Sequence, residues 1–247
     1  MIPKVIHYCW FGHTPLPPLA EKCIASWKKF LPDYEIKEWN EDNFDVNIIA
    51  YTAEAYEAKK YAFVSDYARF WILYREGGIY FDTDVEVIKP MDDIISRGPF
   101  MGCEHDSLEN GNSILVAPGL GLGCPPKMDI YDKLLSMYAN LHFKNTDGSY
   151  NIKNIVQYTT EALMKEGLQN KSGIQVVQQI YIYPCEYFCP INNITKRLQI
   201  TSNTRTIHHY MSSWRDKSAF EKFKEFVREF LPDSWLLYYN KKNHVKQ

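Results

Sequence analysis

Hydrophobic and polar positions in the first part of the chain change twice between a strand period and a helix period. Residues 4–12, KVIHYCWFG, form a short apolar run that ends at a glycine, which predicts a buried strand. Residues 15–32 begin with prolines and then repeat apolar residues at helical spacing, and residues 33–43 alternate again. This β-α-β order is typical of a parallel sheet.

A long helical pattern follows and ends at a pair of glycines. It covers residues 47–76 and predicts two helices that join near Lys59 and Lys60, with a stop at Gly77 and Gly78. An apolar strand begins directly after this stop. Further strands are predicted at 98–106, within 173–190 and at 204–214, and further helices at 128–143, 151–168 and 217–231.

A glycine-rich and proline-rich segment separates these later elements. Residues 112–126 contain GLGLG, which lacks the spacing of a dinucleotide-binding fingerprint and does not precede a helix. We interpret this segment as a loop and not as a cofactor cradle.

Composition narrows the class of protein. The 247 residues are enough for one large α/β domain, and 45% of them are hydrophobic. A net charge of −2 argues against a nucleic-acid partner. Neither a secretory leader nor an apolar run of membrane-spanning length is visible, and the six cysteines are scattered. These features predict a cytoplasmic protein, since scattered cysteines are typical of a reducing compartment.

The segment EGGIYFDTDVEVIKP, residues 76–90, brings two carboxylates to the end of a strand. Asp82 and Asp84 follow a strongly apolar run, and strand alternation would place them on one side in line with Tyr80. Burying neighbouring carboxylates is unfavourable unless a positive group neutralises them. The pattern favours a site for Mg²⁺ or Mn²⁺ with open positions for phosphate oxygens. A solvated pair on an edge strand is the alternative.

Two chemistries use an Asp-x-Asp pair of this kind. In aspartyl-phosphate phosphatases a Thr or Val stands two residues after the second Asp, but here that residue is Glu86. In nucleotide-sugar transfer, the metal joins the carboxylates to the diphosphate and assists its departure. The preceding helix carries Asp66 and Arg69 on one face, either as a structural ion pair or as a grip on sugar hydroxyls.

Four segments together resemble the Asp-x-Asp sugar transferases of glycosyltransferase family 32, and more distantly the glucosyltransferase domain of the large clostridial toxins. They are IPKVIHYCWFG, SWKKFLPDYEIKEWN, AFVSDYARFWILYREGGIYFDTDVEVIKP and HHYMSSW. The resemblance covers residues 2–90 and returns near 207–214. It implies an α/β GT-A fold, which is a Rossmann-like, mostly parallel sheet flanked by helices, with the donor at the carboxyl ends of the strands.

The resemblance also implies roles for individual residues around the donor. Trp10 would stack on the nucleotide base, the alternative being a core tryptophan, and Asn112 would face the sugar. Asp66 and Arg69 would contact the donor sugar and would form the catalytic set together with Asp82. Tyr80 and Asp82 would hold ribose or phosphate.

The metal set implied by the resemblance is drawn from both ends of the chain. Asp82 and Asp84 would bind the metal, and His209 would be the third protein ligand, in a place where the toxin relatives have an acidic residue. Two neighbouring histidines on a strand point to opposite faces, so only one of them can face the site. Ser212 and Trp214 would reach the metal or the diphosphate.

The sequence therefore predicts a metal-dependent retaining glycosyltransferase that uses Mn²⁺ or Mg²⁺ and a nucleotide-sugar, with a UDP-sugar favoured. The expected acceptor is a saccharide, free or lipid-linked, in bacterial surface polysaccharide or glycan synthesis. The alternatives are an Asp-x-Asp phosphatase and an inactive sugar-nucleotide-binding protein.

The last part of the chain reads differently from the rest. We assign residues 1–216 to the transferase domain and residues 217–247 to a C-terminal helical extension, an amphipathic helix with a basic tail. The basic apolar pattern is compatible with peripheral contact with the inner face of a membrane, but packing on the same domain is the favoured interpretation.

Overall fold

The computed structural model of the chain describes residues 1–106, 113–192, 195, 197–210 and 232. These residues contain ten strands and seven α-helices. The strands are β1 (Val5–Cys9), β2 (Glu35–Trp39), β3 (Gly78–Tyr80), β4 (Val85–Val87), β5 (Phe100–His105), β6 (Leu115–Val116), β7 (Leu122–Cys124), β8 (Gln175–Val177), β9 (Ile180–Tyr183) and β10 (Thr206–His208). The helices are α1 (Pro18–Phe30), α2 (Ala50–Glu57), α3 (Tyr61–Glu76), α4 (Asp92–Ile95), α5 (Asp129–Tyr138), α6 (Ile155–Lys165) and α7 (Cys185–Phe188).

The main sheet has the strand order β2-β1-β3-β7-β5-β9-β8, with β6 paired to β5. Strand β1 is parallel to both β2 and β3, and β5 is parallel to β9. Strands β7 and β8 run against their neighbours. Five of the seven strands on this path therefore share one direction, which confirms the mostly parallel sheet predicted from the β-α-β pattern.

Helices cover both faces of this sheet, because its strands are apolar on both sides. One core cluster holds buried residues of α2, α3, α5 and α6, including Tyr51, Phe70 and Tyr138. A second cluster holds buried residues of α1 and α4, including Trp27 and Ile94. A sheet buried on both faces is typical of parallel α/β folds.

The predicted helical stretch before the aspartate pair is confirmed as two helices. They join at Lys59, whose φ is +57°, and α3 ends at Gly77, whose φ is +67°. The Gly77 N–H donates to the Leu73 carbonyl at 2.9 Å. Such a positive φ favours glycine, and it lets the chain turn directly from α3 into β3.

A buried histidine ties this helix end to the first two strands. His7 of β1 is fully buried, its Nδ1 accepts the Trp39 indole N–H at 3.1 Å, and its Nε2 lies 3.0 Å from the Gly77 carbonyl. Burial lowers the pKa of His7 to about 4, so the ring is neutral and can donate from Nε2 to Gly77. This contact fixes where β3 begins.

The glycine-rich segment is not only the loop that the sequence predicted. It contains a 3₁₀ turn at Pro118–Leu120 and then β7, which pairs antiparallel with β3 and β5 inside the sheet. A Cβ on Gly123 would lie 2.4 Å from the Phe100 ring, so a strand fits in this position only without a side chain there. Because the composition of this segment is typical of a loop, β7 was not predicted from the sequence.

The C-terminal predictions lie outside the described residues, except for Pro232. The amphipathic helix at 217–231, the boundary at 216 and the membrane contact of residues 217–247 accordingly stay predictions. Among the described helices, none combines the length and the apolar character needed to span a bilayer.

Candidate active site

The aspartate pair lies in a turn between β3 and β4, at the edge where parallel strands end. The Val85 N–H donates to the Asp82 carbonyl at 3.0 Å and closes this turn. Trp10 follows β1, the parallel neighbour of β3, so the structure brings Trp10 and Asp82 to the same edge of the sheet. Ligands of open α/β sheets bind at this edge.

Arg69 of α3 joins two carboxylates. Its Nη2 lies 3.1 Å from Asp66 Oδ1 and 3.2 Å from Asp82 Oδ1, and its Nη1 donates to Asp82 Oδ2 at 3.4 Å. Its Nε donates to the Ser65 carbonyl at 3.1 Å, so the guanidinium has one orientation. The structure therefore brings together the three residues that the sequence assigned to the catalytic set.

The ion pair differs in accessibility along its length. Asp66 and Arg69 are buried, whereas 29% of the Asp82 side chain is exposed. Burial raises the pKa of Asp66 to about 7 against the opposing charge of Arg69. Burial also disfavours the charged Arg69, but Asp82 and Asp66 outweigh it and hold the pKa of Arg69 above its usual value. Only the Asp82 end is open to a ligand.

Tyr80 and Cys9 form the floor under this ion pair. The Arg69 guanidinium carbon lies 4.9 Å from the centre of the Tyr80 ring, and Tyr80 is only 1% exposed. Burial raises the pKa of Cys9 to about 12, so this cysteine is a neutral thiol and not a nucleophile. The contact of Tyr80 with ribose or phosphate, expected from the sequence, stays a prediction, and in the structure Tyr80 packs against Arg69.

Asp84 has a different basic partner. His208 of β10 places its Nε2 3.0 Å from Asp84 Oδ1, and both residues are largely buried. Burial alone would lower the pKa of His208, but the hydrogen bond and charge of Asp84, with smaller contributions from Asp82 and Glu104, raise it above the usual value. The His208 Nδ1 atom is buried and has no hydrogen-bond partner among the described residues.

His209 points to the other side of the same strand pair. Its Nε2 lies 2.8 Å from Glu86 Oε2, which also accepts from Lys22 at 3.0 Å. Only its backbone N–H reaches Asp84, by donating to the carbonyl at 3.0 Å. The sequence assigned the metal-ligand role to His209, and this role stays a prediction. In the structure it is the His208 side chain that lies against Asp84, whereas the His209 side chain lies against Glu86.

Two side chains of α1 hold the strand that follows Asp84. The Trp27 indole donates to the Val85 carbonyl at 2.7 Å, and the Ser26 hydroxyl accepts from the Val87 N–H at 2.9 Å. Strand β4 pairs only with β10 among the described residues, so these bonds replace a second neighbouring strand. The first helix thereby fixes the position of the aspartate turn.

The two aspartates thus each have a basic partner within the protein, Arg69 for Asp82 and His208 for Asp84. A metal was predicted because the aspartate pair needs a positive group beside it, and Arg69 and His208 can meet that need. Within the described part of the chain, no cluster of three or more His, Cys, Asp or Glu side chains has a metal-holding arrangement. Metal binding is therefore a proposal and not an observation.

Trp10 has a position suited to ligand contact. It is half-buried, and its indole N–H donates to the Thr14 carbonyl at 2.7 Å within its own loop. The ring is thereby held by the loop, which leaves base stacking as a prediction. The remaining predicted ligand residues, Asn112, Ser212 and Trp214, lie outside the described residues.

Three residues near the aspartates were missed from the sequence. Strand alternation admitted His208 as well as His209 but could not choose between them. Glu104 lies within the predicted strand at 98–106, and its charge acts on His208, which shows that it lies near the site. Gly119 contacts Asp82 through a pairing that no local pattern indicates, since its carbonyl accepts the Asp82 N–H at 3.0 Å.

Comparison with known proteins agrees with this site. Residues 17–101, about a third of the chain, match the family described as "glycosyltransferase sugar-binding region containing DXD motif". The matched segment contains Asp66, Arg69, Asp82 and Asp84. An uncharacterised glycosyltransferase of Acanthamoeba polyphaga mimivirus is 24% identical over an alignment of 210 residues. The match covers 77% of this chain and 78% of that protein.

Two further comparisons extend the likeness. Inositol phosphoceramide mannosyltransferase 1 of Schizosaccharomyces pombe is 28% identical over 111 residues, which are 40% of this chain and only 33% of that protein. The crystal structure of a glycosyltransferase involved in the glycosylation of the major capsid of PBCV-1 superposes with a TM-score of 0.50 at 11% identity. That superposition covers 92% of this chain and all of the other.

The fold and the Asp-x-Asp turn at the strand ends define a glycosyltransferase of the GT-A type. The protein is a glycosyltransferase, and its residues 17–101 match the model of a DXD-containing sugar-binding region. The predicted fold is confirmed, and the predicted family is the one that residues 17–101 resemble.

Proposed function

We propose that the protein transfers a hexose from a nucleotide-sugar, with the diphosphate held by a divalent cation at Asp82 and Asp84, to a saccharide hydroxyl. One observation carries this proposal. Asp82 is fixed by a buried Arg69 and yet has 29% of its side chain exposed, at the strand-end edge that also holds Trp10. A carboxylate held rigidly and left open is suited to a ligand.

The chemistry of the side chains at the aspartate turn suits a hard divalent cation. Asp82 and Asp84 supply carboxylate oxygens, and His208 supplies an imidazole next to Asp84, which are ligands that Mn²⁺ accepts and Mg²⁺ accepts in part. When bound, such a cation acts as a Lewis acid that neutralises the leaving diphosphate. DXD glycosyltransferases typically use a divalent metal together with a nucleotide-sugar donor.

The chain's own residues would position the donor and balance its charge. Arg69 limits the movement of Asp82, so that the open carboxylate keeps one orientation toward the ligand. Asp66, behind Arg69, keeps the guanidinium in place. The described residues offer no nucleophile at the ion pair, because Cys9 is a neutral thiol and Asp82 is held by Arg69. We therefore propose attack by the acceptor hydroxyl on the same face that the diphosphate leaves, with retention of configuration.

The donor nucleotide is proposed to be UDP, carried with its base on Trp10. A mannosyl donor on GDP is the second candidate, because a yeast relative is named a mannosyltransferase. The acceptor is proposed to be a saccharide, and the surface-glycan setting expected from the sequence belongs to the same proposal. The relatives named above are viral and fungal.

A donor panel tests this function. Thermal unfolding would be measured with UDP-, GDP- and CMP-sugars, each with Mn²⁺ or with EDTA, and nucleoside diphosphate release would be followed in parallel. A ligand at 100 times its dissociation constant adds about 2.7 kcal/mol of stability, which gives a clear shift in melting temperature. We expect one nucleotide class to shift the melting temperature and to be turned over, in both cases only with metal.

Other results of this panel would contradict the proposal. Metal-dependent hydrolysis of simple phosphate monoesters without a nucleotide shift would favour the phosphatase. A nucleotide shift without turnover in the presence of any saccharide would favour an inactive binder.

The two histidines of β10 give a matched pair of variants. His208→Gln should weaken Mn²⁺ binding by about 10- to 100-fold, as expected when a ligand or its hydrogen-bond partner is lost, whereas His209→Gln should change it by less than about threefold. Free Mn²⁺ would be counted by electron paramagnetic resonance during a titration of each variant. Equal affinities of the two variants would show that neither histidine favours the metal site.

A further inference from the structure

The glycine-rich segment that contains GLGLG lies directly against the candidate active site. The Gly119 carbonyl accepts the Asp82 N–H at 3.0 Å. A Cβ built on Gly119 would lie 1.9 Å from Asp82 Oδ2, 2.8 Å from Asp82 Cγ and 3.2 Å from Arg69 Nη1. Real Cβ atoms are essentially never this close to a carboxylate oxygen, so the Asp82–Arg69 contact is possible only if residue 119 has no side chain.

The three glycines of GLGLG meet different parts of the protein. A Cβ on Gly121 would lie 2.8 Å from the Phe81 ring, and one on Gly123 would lie 2.4 Å from the Phe100 ring. Both of these rings belong to the core cluster under α1. Only Gly119 faces the ion pair.

The backbone of Gly119 is not what demands glycine. Its φ lies outside the positive range, in contrast to Gly121, whose φ is +139°. An alanine at position 119 would therefore have an ordinary backbone conformation. Its whole effect would come from the methyl group that displaces Asp82.

We propose that Gly119 is a positioning residue for sugar transfer, in which the absent side chain leaves the space that lets Asp82 turn onto Arg69 while its carboxylate stays open to the metal and the donor. This inference rests on the proposed function. The backbone of the turn at Pro118–Leu120 thus forms one side of the site. The Gly119 carbonyl accepts the Asp82 N–H, and the Gly119 Cα, which has no side chain, leaves room for the Asp82 carboxylate. With alanine there, Asp82 must leave Arg69.

The test uses Gly119→Ala with Gly123→Ala as its matched control, each in the full chain. Gly123 also lacks a positive φ and also meets a ring at short distance, but it is remote from the ion pair. Displacement of a catalytic group by about 1 Å can lower turnover about 100-fold, so we expect a loss of that size in kcat for Gly119→Ala. Gly123→Ala should melt at a lower temperature but keep its kcat within about threefold of wild type.

A second comparison separates positioning from plain destabilisation. In an Asp82→Ala background the methyl group of Gly119→Ala meets no carboxylate, so it should cause no further fall in melting temperature. A merely structural glycine would lower the melting temperature equally in both backgrounds, and that result would overturn the proposal. Retention of more than about a third of the wild-type kcat in Gly119→Ala would also overturn it.

This design keeps two failures apart. If the wild type turns over no nucleotide-sugar, the proposed function fails and with it the role in transfer. The melting-temperature comparison between the two backgrounds still shows whether Gly119 holds Asp82 in place.

Discussion

Replacement of Asp84 by asparagine is expected to lower donor turnover by about a thousandfold while the protein stays folded. Asparagine keeps the size of the side chain, and its amide oxygen can still accept from His208. The substitution removes the negative charge that would hold a divalent cation. Lewis-acid assistance contributes several kcal/mol, and each 1.36 kcal/mol or so corresponds to a tenfold change in rate. Metal-dependent release of nucleoside diphosphate and thermal unfolding would be measured on the same sample.

Glu86→Gln is the matched control for this variant. Glu86 and His209 repeat the carboxylate–histidine pair of Asp84 and His208 on the opposite side of β4 and β10. The same chemical change there should leave turnover within about threefold of wild type. Equal losses in the two variants would mean that Asp84 acts by holding the strand pair together and not by binding a metal.

The first part of the fold was predictable because its signals are local. The strand β1, the helix α1 and the strand β2 each fill one uniform hydrophobic period, and proline, glycine or the polar run 40–43 marks their ends. The stop at Gly77 was readable for the same reason. Local patterns of this kind also placed the aspartate pair at a strand end.

The strand β7 was not predictable by this reasoning. It has three residues, of which one is glycine, and its surroundings are rich in glycine and proline. What makes it a strand is its insertion between β3 and β5, which are distant in sequence from each other and from it. Sequence patterning reports the faces of an element, but not the close approach that demands a glycine.

The neutralisation of the aspartates shows a second limit. The sequence identified Arg69 as a partner of Asp66, because the two are three residues apart on a helix. It did not show that Arg69 also reaches Asp82, or that His208 reaches Asp84, since both contacts depend on tertiary packing. A metal was predicted because the sequence showed no positive group beside the aspartates, but the fold places Arg69 and His208 there. Metal binding must therefore be measured directly.

Replacement of Arg69 by methionine is expected to destabilise the protein by about 3–5 kcal/mol, which is the usual result of removing one partner of a buried ion pair. Asp66 would be left as a buried carboxylate without its cation. Its pKa is already raised to about 7 by burial and would rise further. Because a raised pKa favours the neutral carboxyl of the folded state, the loss should be larger near about pH 8 than near about pH 5. Denaturant unfolding at both pH values measures it.

Arg75→Met on the same helix is the matched control. Arg75 is exposed and lies over the Trp71 ring, with its guanidinium carbon 4.4 Å from the ring centre. Exposed cation–π contacts contribute about 0.5–1 kcal/mol, so this variant should lose no more than that. A loss in Arg69→Met as small as that of the control would show that solvent reaches the Asp66 pair.

The combination Arg69→Met with Asp66→Leu then decides between the two interpretations that the sequence left open. Replacing both members of a buried ion pair by apolar residues often restores stability, because no charge remains to be desolvated. If stability returns without turnover, the pair serves sugar transfer, since the restored fold still lacks the group that orients Asp82. If turnover returns together with stability, the pair is a structural element of α3, and the grip on the donor must be sought at Trp10 and at the aspartate turn.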